Sequence, residues 1–329
     1  MKDILLDVKN LKVGFVSDSG LSVAVQGVSF QVERGRVLGI VGESGSGKSV
    51  TSLAVMRLIP KPNGKILDGQ IFLEEKELLS LPEKEMQKIR GNRISMIFQE
   101  PMSSLNPVFR IGFQLGEALQ LHQGIKGEEN RRRCIDILTQ VRIPDPERVI
   151  NMYPHELSGG MRQRVMIAMA MLCDPDLMIA DEPTTALDVT IQAQILQLLR
   201  DLQQKSGMSI MFITHDLGVI AEIADRVAVM YAGRIVEEGD VENILQAPMH
   251  PYTDGLIRAI PENFSAGEGF YSIPGSQPDS RDLYTSCSFA PRCAFADDHC
   301  RSELPELTEV LPGHKVRCFH CGKAVKEND

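Results

Sequence analysis

An α/β fold built on a central, mostly parallel sheet is predicted by three features of this 329-residue sequence. Apolar runs at 37–41, 94–98, 177–180 and 209–213 have the length and continuity of strands buried on both faces. Segments of helical spacing at 50–58, 111–142, 157–173 and 191–204 separate them. Residues suited to chemistry stand where the runs end: a glycine-rich turn after Val41, then Gln99, Asp181-Glu182 and His215. Strands alternating with helices give a sheet covered on both faces, with ligands gathered at the strand C-termini.

Ahead of the first run, alternation at 4–13 and 28–32 predicts antiparallel strands. Phe15 closes the first of these, and reads equally as a strand-end core aromatic or as a nucleotide contact. A short strand at 69–73 and a charged helix at 82–89, opened by Pro82, follow. After Gln99, the stretch Glu100-Pro101-Met102-Ser103-Ser104-Leu105-Asn106-Pro107 is a loop. The helical spacing at 111–142 is an insertion between strands, with Arg131, Arg132 and Arg133 on a solvated face. Ser158 is placed as a helix N-cap. A hairpin at 227–236 turns at Ala232-Gly233, and a short helix at 241–245 follows. Beyond Pro248 the composition shifts towards Pro, Gly, Ser and Cys. The expected organisation is a domain over 1–247, with a helical subdomain at about 100–172, and an extension over 248–329.

The turn Gly42-Glu43-Ser44-Gly45-Ser46-Gly47-Lys48-Ser49 carries the strongest chemical signal. Gly42, Gly45 and Gly47 let backbone N–H groups curl around phosphate oxygens where a Cβ would block the approach. Lys48 supplies a cation for the β- and γ-phosphates, Ser49 a hydroxyl for Mg²⁺, and the next helix its positive dipole end. A plain glycine-rich turn would not need strand, loop, Lys-Ser and helix in that order. Asp181 at a strand end suits Mg²⁺, and Glu182 suits orienting or deprotonating an attacking water. Gln99 and His215 end neighbouring strands; each alone is weak.

A formal net charge of −9 argues against nucleic acid as the main partner. Hydrophobic content of 43% supports a substantial core. No apolar run approaches the roughly 18 residues that span a bilayer. The residues around Lys2 and Lys9 lack the order of a signal peptide, so a cytoplasmic location is expected.

Taken together, the turn at 42–49, Gln99, Ser158-Gly159-Gly160, Asp181-Glu182 and His215 resemble the ATP-binding-cassette (ABC) ATPases over about residues 4–245. Ser158-Gly159-Gly160 is the diagnostic element. The resemblance implies an ABC-type phosphate-loop fold with an antiparallel β subdomain and a helical subdomain. Two cassettes would stack head to tail, each nucleotide lying between one chain's phosphate loop and the other's Ser158 to Gly160. Phe15 would stack on adenine, Gln99 sense Mg²⁺ and the membrane partner, Asp188 cross the dimer interface and His215 hold the γ-phosphate. Hydrolysis would proceed by in-line attack of water. Val50, where many cassettes carry threonine, puts one phosphate contact in doubt, and Met161 replaces the commoner glutamine.

The extension narrows the resemblance. His250-Pro251-Tyr252-Thr253, Gly255-Leu256 and Ala259-Ile260-Pro261, with the run from Ala180 to Gln194, are similar to the ATP-binding subunits of dipeptide and oligopeptide importers. That implies a second ATPase subunit, identical or paralogous, two transmembrane permeases and an external substrate-binding protein, with this chain at the cytoplasmic membrane face. The insertion at 111–142 would receive a short permease helix. Nickel or another small solute is the alternative cargo. A soluble ABC ATPase of repair or translation is the alternative class, disfavoured by a single cassette and the acidic balance.

Cys134 and Cys173 read as core residues. Cys287, Cys293, Cys300 and Cys318, separated by five, six and seventeen residues, match the importer extension's four-cysteine pattern, which in some members holds a [4Fe–4S] cluster. Zn²⁺ is possible from the same region, where Cys321, His299, His314 and His320 lie close by, and free thiols are the third reading. A tail of about 40 residues with few aliphatics needs a staple to fold.

Overall fold

The computed structural model describes residues 3–18, 20–99, 104–185, 187–260, 271–278 and 285–322. Residues 100–103 of the expected loop, Ala186 and Pro261 lie outside them. The chain forms two compact units. One comprises Met1–Leu5, Glu33–Arg36 and Ser80–Met211; the other comprises Leu6–Val32, Val37–Leu79 and Phe212–Asp329.

The chain opens with β1 (Ile4–Ser17), β2 (Gly20–Glu33), β3 (Val37–Val41), α1 (Lys48–Val55), β4 (Gly64–Leu73) and β5 (Lys76–Glu77). Both leading strands run longer than their alternation suggests, because each changes phase part-way. Asn10 adopts φ 48 where β1 slips register against β4, between Lys9 and Lys12. Gly27 at φ 83 separates buried Val23 and Val25 from buried Val28, Phe30 and Val32. An extra residue shifts which side chains face inward, so a simple period-two reading loses the strand there. The resulting antiparallel sheet has the order β2-β1-β4-β5. Helix α1 starts two residues before the apolar pattern and ends three residues before Leu58, with Arg57 at φ 53.

Next come α2 (Glu83–Ile89), β6 (Ile94–Ile97), α3 (Ile111–Gln123), α4 (Gly127–Gln140), α5 (Pro146–Val149) and, after a 3₁₀ turn at Pro154–Glu156, α6 (Gly159–Met171). The expected helical insertion is two helices, divided where Gly124 takes φ 69 and ends α3 as a left-handed cap. Then follow β7 (Leu177–Asp181), α7 (Val189–Ser206) and β8 (Ser209–Thr214), whose chain passes from the first unit into the second. In the first unit β6 and β7 pair in parallel, Ile94 opposite Leu177 and Ile97 opposite Ala180.

The second unit is completed by α8 (Leu217–Ile223), β9 (Arg226–Tyr231), β10 (Arg234–Asp240), α9 (Val241–Gln246) and α10 (Pro251–Arg258), then α11 (Asp298–Ser302), β11 (Thr308–Leu311) and β12 (His314–Val316). Here β3 pairs in parallel with β9. Beyond β9 the ladder is antiparallel, through β10 and β12 to β11. The β9–β10 hairpin turns on Ala232 and Gly233 at φ 46 and 76, the positive values that match strand twist. The parallel part is as expected. The addition of extension strands to β10 was not legible, because β12 is only three residues long.

A buried carboxylate fastens the extension. Glu237 of β10 accepts from the Met249 and His250 backbone amides at 2.7 and 3.0 Å, and pairs with His314 Nε2 at 2.7 Å. Without such partners a charge this buried would be strongly unfavourable. His250 caps α10, its Nδ1 accepting from Tyr252 N at 3.0 Å. Burial pushes the His250 pKa down to about 4, against the raising pull of Glu237 and with a smaller lowering push from Arg317.

Because the folded value lies below the unfolded one near 6.5, protonation favours the unfolded state. Stability from this site is complete above about pH 6.5 and falls as pH drops towards 4, by on the order of 3 kcal/mol. Hydrogen exchange of the α10 amides should therefore accelerate between pH 7 and 5 beyond the intrinsic pH effect. His250→Asn, which keeps the cap acceptor without the titration, should flatten that dependence.

Candidate functional site

In the second unit, the turn from β3 into α1 has the form of a phosphate cradle. A Cβ at Gly42 would lie 2.1 Å from the Met230 carbonyl oxygen, and one at Gly47 would lie 2.6 Å from that of Ala24. Neither position has room for a side chain. Gly45 takes φ 83 in open space beside exposed Ser44. The buried Lys48 donates through Nζ to the carbonyls of Gly42 (2.7 Å) and Glu43 (2.9 Å). Ser49 is half-buried in the first turn of α1. Thr51, next to the departing Val50, gives its hydroxyl to the Gly47 carbonyl at 2.9 Å. The cradle fits an anion: backbone pressed too close for any Cβ, a lysine, and a helix N-terminus together.

Phe15 is half-buried on β1 opposite Gly64, where a Cβ would come within 3.0 Å of its Cε1. A side chain at position 64 would crowd the ring edge. His215 is exposed between β8 and α8, and Asp216 beside it caps α8 by accepting from Gly218 N at 2.8 Å.

The first unit holds the acidic residues. Asp181 is buried at the end of β7, and Glu182 follows at φ 48. That left-handed conformation costs a non-glycine residue roughly 1 kcal/mol or more. Glu182 Oε2 accepts from Gln99 Nε2 and from Thr185 Oγ1, each at 3.0 Å. Gln99 and Glu182, 83 positions apart in sequence, are therefore joined directly. Thr185 was not foreseen; its only signal was its place three residues after Glu182.

Ser158 caps α6, its Oγ accepting from Met161 N at 3.3 Å. Ser158 and Gly159 are exposed, and a Cβ at Gly159 would meet nothing within 4 Å. One at Gly160 would come within 3.2 Å of Ile191 Cγ2. Asp188 caps α7, its Oδ1 accepting from Ile191 N at 3.0 Å, a local duty besides the interface role expected of it. A groove of about 1020 Å³ in the same unit is lined by α3, the start of α4 and Ile150, with Phe113 and Leu121 exposed at it.

In the extension, Cys287 N donates to the Cys300 carbonyl at 3.1 Å. Burial pushes the Cys287, Cys293 and Cys318 thiols up, and repulsion from neighbouring sulfurs among the four adds to this; Cys318 reaches about 12. Cys300 is raised chiefly by burial. Among the described residues, Asp297, Cys300 and His320 are the group of three whose ligating atoms lie within 4.8 Å of one another; no three of Cys287, Cys293, Cys300 and Cys318 come that close.

A family model described as "ABC transporter" matches residues 25–185, and one described as "Oligopeptide/dipeptide transporter, C-terminal region" matches 236–300. Among solved structures, the dimeric post-hydrolysis ATP-binding cassette MJ0796 bound to ADP and Pi aligns with TM-score 0.65 and 28% identity, covering 72% of this chain and 98% of that one. The fold is that of an ABC ATPase cassette.

Whole-chain relatives refine this. A probable peptide ABC transporter ATP-binding protein of Sinorhizobium fredii is 50% identical, covering 98% of this chain and 97% of its own. The oligopeptide transport ATP-binding protein AppD of Bacillus subtilis (51%) and the dipeptide transport ATP-binding protein DppD of Escherichia coli (50%) each align over 96% of both chains. The chain belongs to the ATP-binding proteins of the peptide-type ABC transporters.

The steric contrast between two glycines gives a direct test. Gly42→Ala should abolish ATP binding by the full chain, measured by titration calorimetry. Gly159→Ala should leave both ATP binding by the isolated chain and its unfolding free energy within about 0.5 kcal/mol of wild type.

Proposed function

We propose that this chain is an ATP-hydrolysing subunit of an importer for dipeptides or oligopeptides, peripheral at the cytoplasmic face of the membrane. The observation that carries hydrolysis is Glu182, held in a left-handed turn at the end of β7 with one oxygen fixed by Gln99 and Thr185. A carboxylate so oriented suits positioning a water for in-line attack on a γ-phosphate. Lys48 and the amides of 42–49 would hold the phosphates, Phe15 the adenine and His215 the γ-phosphate. Mg²⁺ would take Ser49, Gln99 and Asp181, as the resemblance assigns, and neutralise phosphate charge when bound.

The exposed Ser158 and Gly159 at the mouth of α6 suit an anion supplied by a second ATPase subunit, with Asp188 at the same interface. The groove with Phe113 and Leu121 suits a short helix of one of the two permease chains. No helix among the described residues is long and apolar enough to cross a membrane, in keeping with such partners. The cargo would arrive through a separate substrate-binding protein. In this reading the cassette ends near residue 247, its helical subdomain spans about 100–172, and 248–329 is the importer extension.

Peptide cargo is supported by whole-chain identity to peptide transporters and by the match over 236–300. Glu182→Gln should bind ATP while slowing turnover by about a hundredfold or more. Purified in mild detergent with Mg-ATP, it should bring down two multi-span membrane proteins. Recovery of ribosomes or soluble proteins alone would overturn the importer reading.

For the extension, Cys287, Cys293, Cys300 and Cys318 would hold a [4Fe–4S] cluster. Burial first, and charge repulsion between thiolates second, disfavour ionisation of these cysteines without a cation, and iron would offset both. Zn²⁺ is the second reading, favoured by the Asp297, Cys300 and His320 group. Elemental analysis after anaerobic purification should find about four irons per chain, lost in Cys293→Ser. One zinc retained by that variant would select the second reading.

A further inference from the structure

The extension reaches the phosphate loop. Arg292, one residue before Cys293, makes a fork-to-fork pair with Glu43: Nη1 to Oε2 at 2.9 Å and Nη2 to Oε1 at 3.0 Å. The arginine is aimed by its surroundings. Its Nε donates to the Pro274 carbonyl at 2.8 Å, its Nη2 to that of Ile273 at 3.4 Å, and its Nη1 to the Tyr231 hydroxyl at 3.4 Å. The guanidinium lies 5.7 Å from the Tyr231 ring centre and 6.0 Å from that of Phe289, and its side chain is 6% exposed.

Glu43 is held at four points. Its N–H donates to the Tyr252 hydroxyl of α10 at 2.9 Å, its carbonyl accepts from Lys48 Nζ at 2.9 Å and from Ser46 N at 3.2 Å, and its carboxylate is held by Arg292. Tyr231, Tyr252 and Phe289 meet ring to ring at 4.6 to 5.5 Å beneath these bonds. Both restraints from outside the loop on its second residue thus come from beyond residue 250. The other two are the loop's own Ser46 amide and the lysine reserved for phosphate.

We propose that Arg292 is a positioning residue for ATP. It holds the phosphate loop open through Glu43 and cancels a carboxylate that would repel incoming phosphates. The extension is then part of the nucleotide site. This rests on the ATPase reading above. Removing Arg292 loosens the loop and leaves an uncompensated anion beside the polyphosphate, so the loss falls on ATP binding rather than on the hydrolytic step at Glu182.

The test uses steady-state ATPase kinetics of the full chain in complex with its membrane partners. Arg292→Ala should raise KM for ATP about tenfold with kcat within about twofold, and Arg292→Lys should lie between it and wild type. Adding Glu43→Gln to Arg292→Ala should return KM most of the way, because the repelling charge has gone. Arg292→Gln, which still donates a hydrogen bond but carries no charge, should reproduce the KM increase and guards against misfolding of the alanine variant. A KM that ignores Arg292→Ala and Arg292→Gln alike, or an increase that Glu43→Gln does not relieve, overturns the proposal. A wild-type complex without ATPase activity would instead overturn the reading on which it rests.

Discussion

The closeness of backbone to backbone around residues 42–47 is the constraint on which the second unit depends. Carbonyls of Met230 and Ala24 occupy the space where Cβ atoms of Gly42 and Gly47 would stand. The loop is therefore shaped by strands remote in sequence: the end of β9 on one side and β2 on the other. The β9–β10 turn seals the arrangement, Gly233 N donating to the Ser46 carbonyl at 2.9 Å and Gln26 N to the Gly233 carbonyl at 2.8 Å. A phosphate loop is a local motif in sequence, but its curvature here is a tertiary property.

The extension is fastened by buried charge as well as by apolar contacts. Glu237 fastens both the start of α10 and β12 to β10, and Arg292 fastens the 3₁₀ turn at Ala290–Arg292 to Glu43. Each pair is satisfied by several hydrogen bonds, the condition under which a buried ion can persist. Such contacts are geometrically specific where packing of a small lobe would be permissive. They suit a segment with few aliphatic residues.

Much of the fold was legible because its strands are buried on both faces: continuous runs such as 37–41 and 209–213 can be little else. Hidden were the phase shifts at Asn10 and Gly27, the break at Gly124 and the three-residue β12, since none perturbs composition. Of the site, Gln99 and Glu182 were each visible at a strand end, and they are joined directly because they follow β6 and β7, which pair in parallel. The capping bonds of Ser158 and Asp188 follow from residue type and helix position, although only the first was anticipated. Arg292 could not be tied to Glu43 from sequence, because no local periodicity encodes a pairing between distant segments.

The Glu43–Arg292 bond closes a loop of 249 positions. During synthesis the motif that binds phosphate emerges early, whereas the arginine that grips it is added only after more than four-fifths of the chain exists. For most of translation the nascent chain thus carries the whole phosphate-loop sequence without its clamp. Maturation of this loop is tied to arrival of the C-terminal lobe, and a polypeptide interrupted upstream of Arg292 would hold the motif but not its supported geometry.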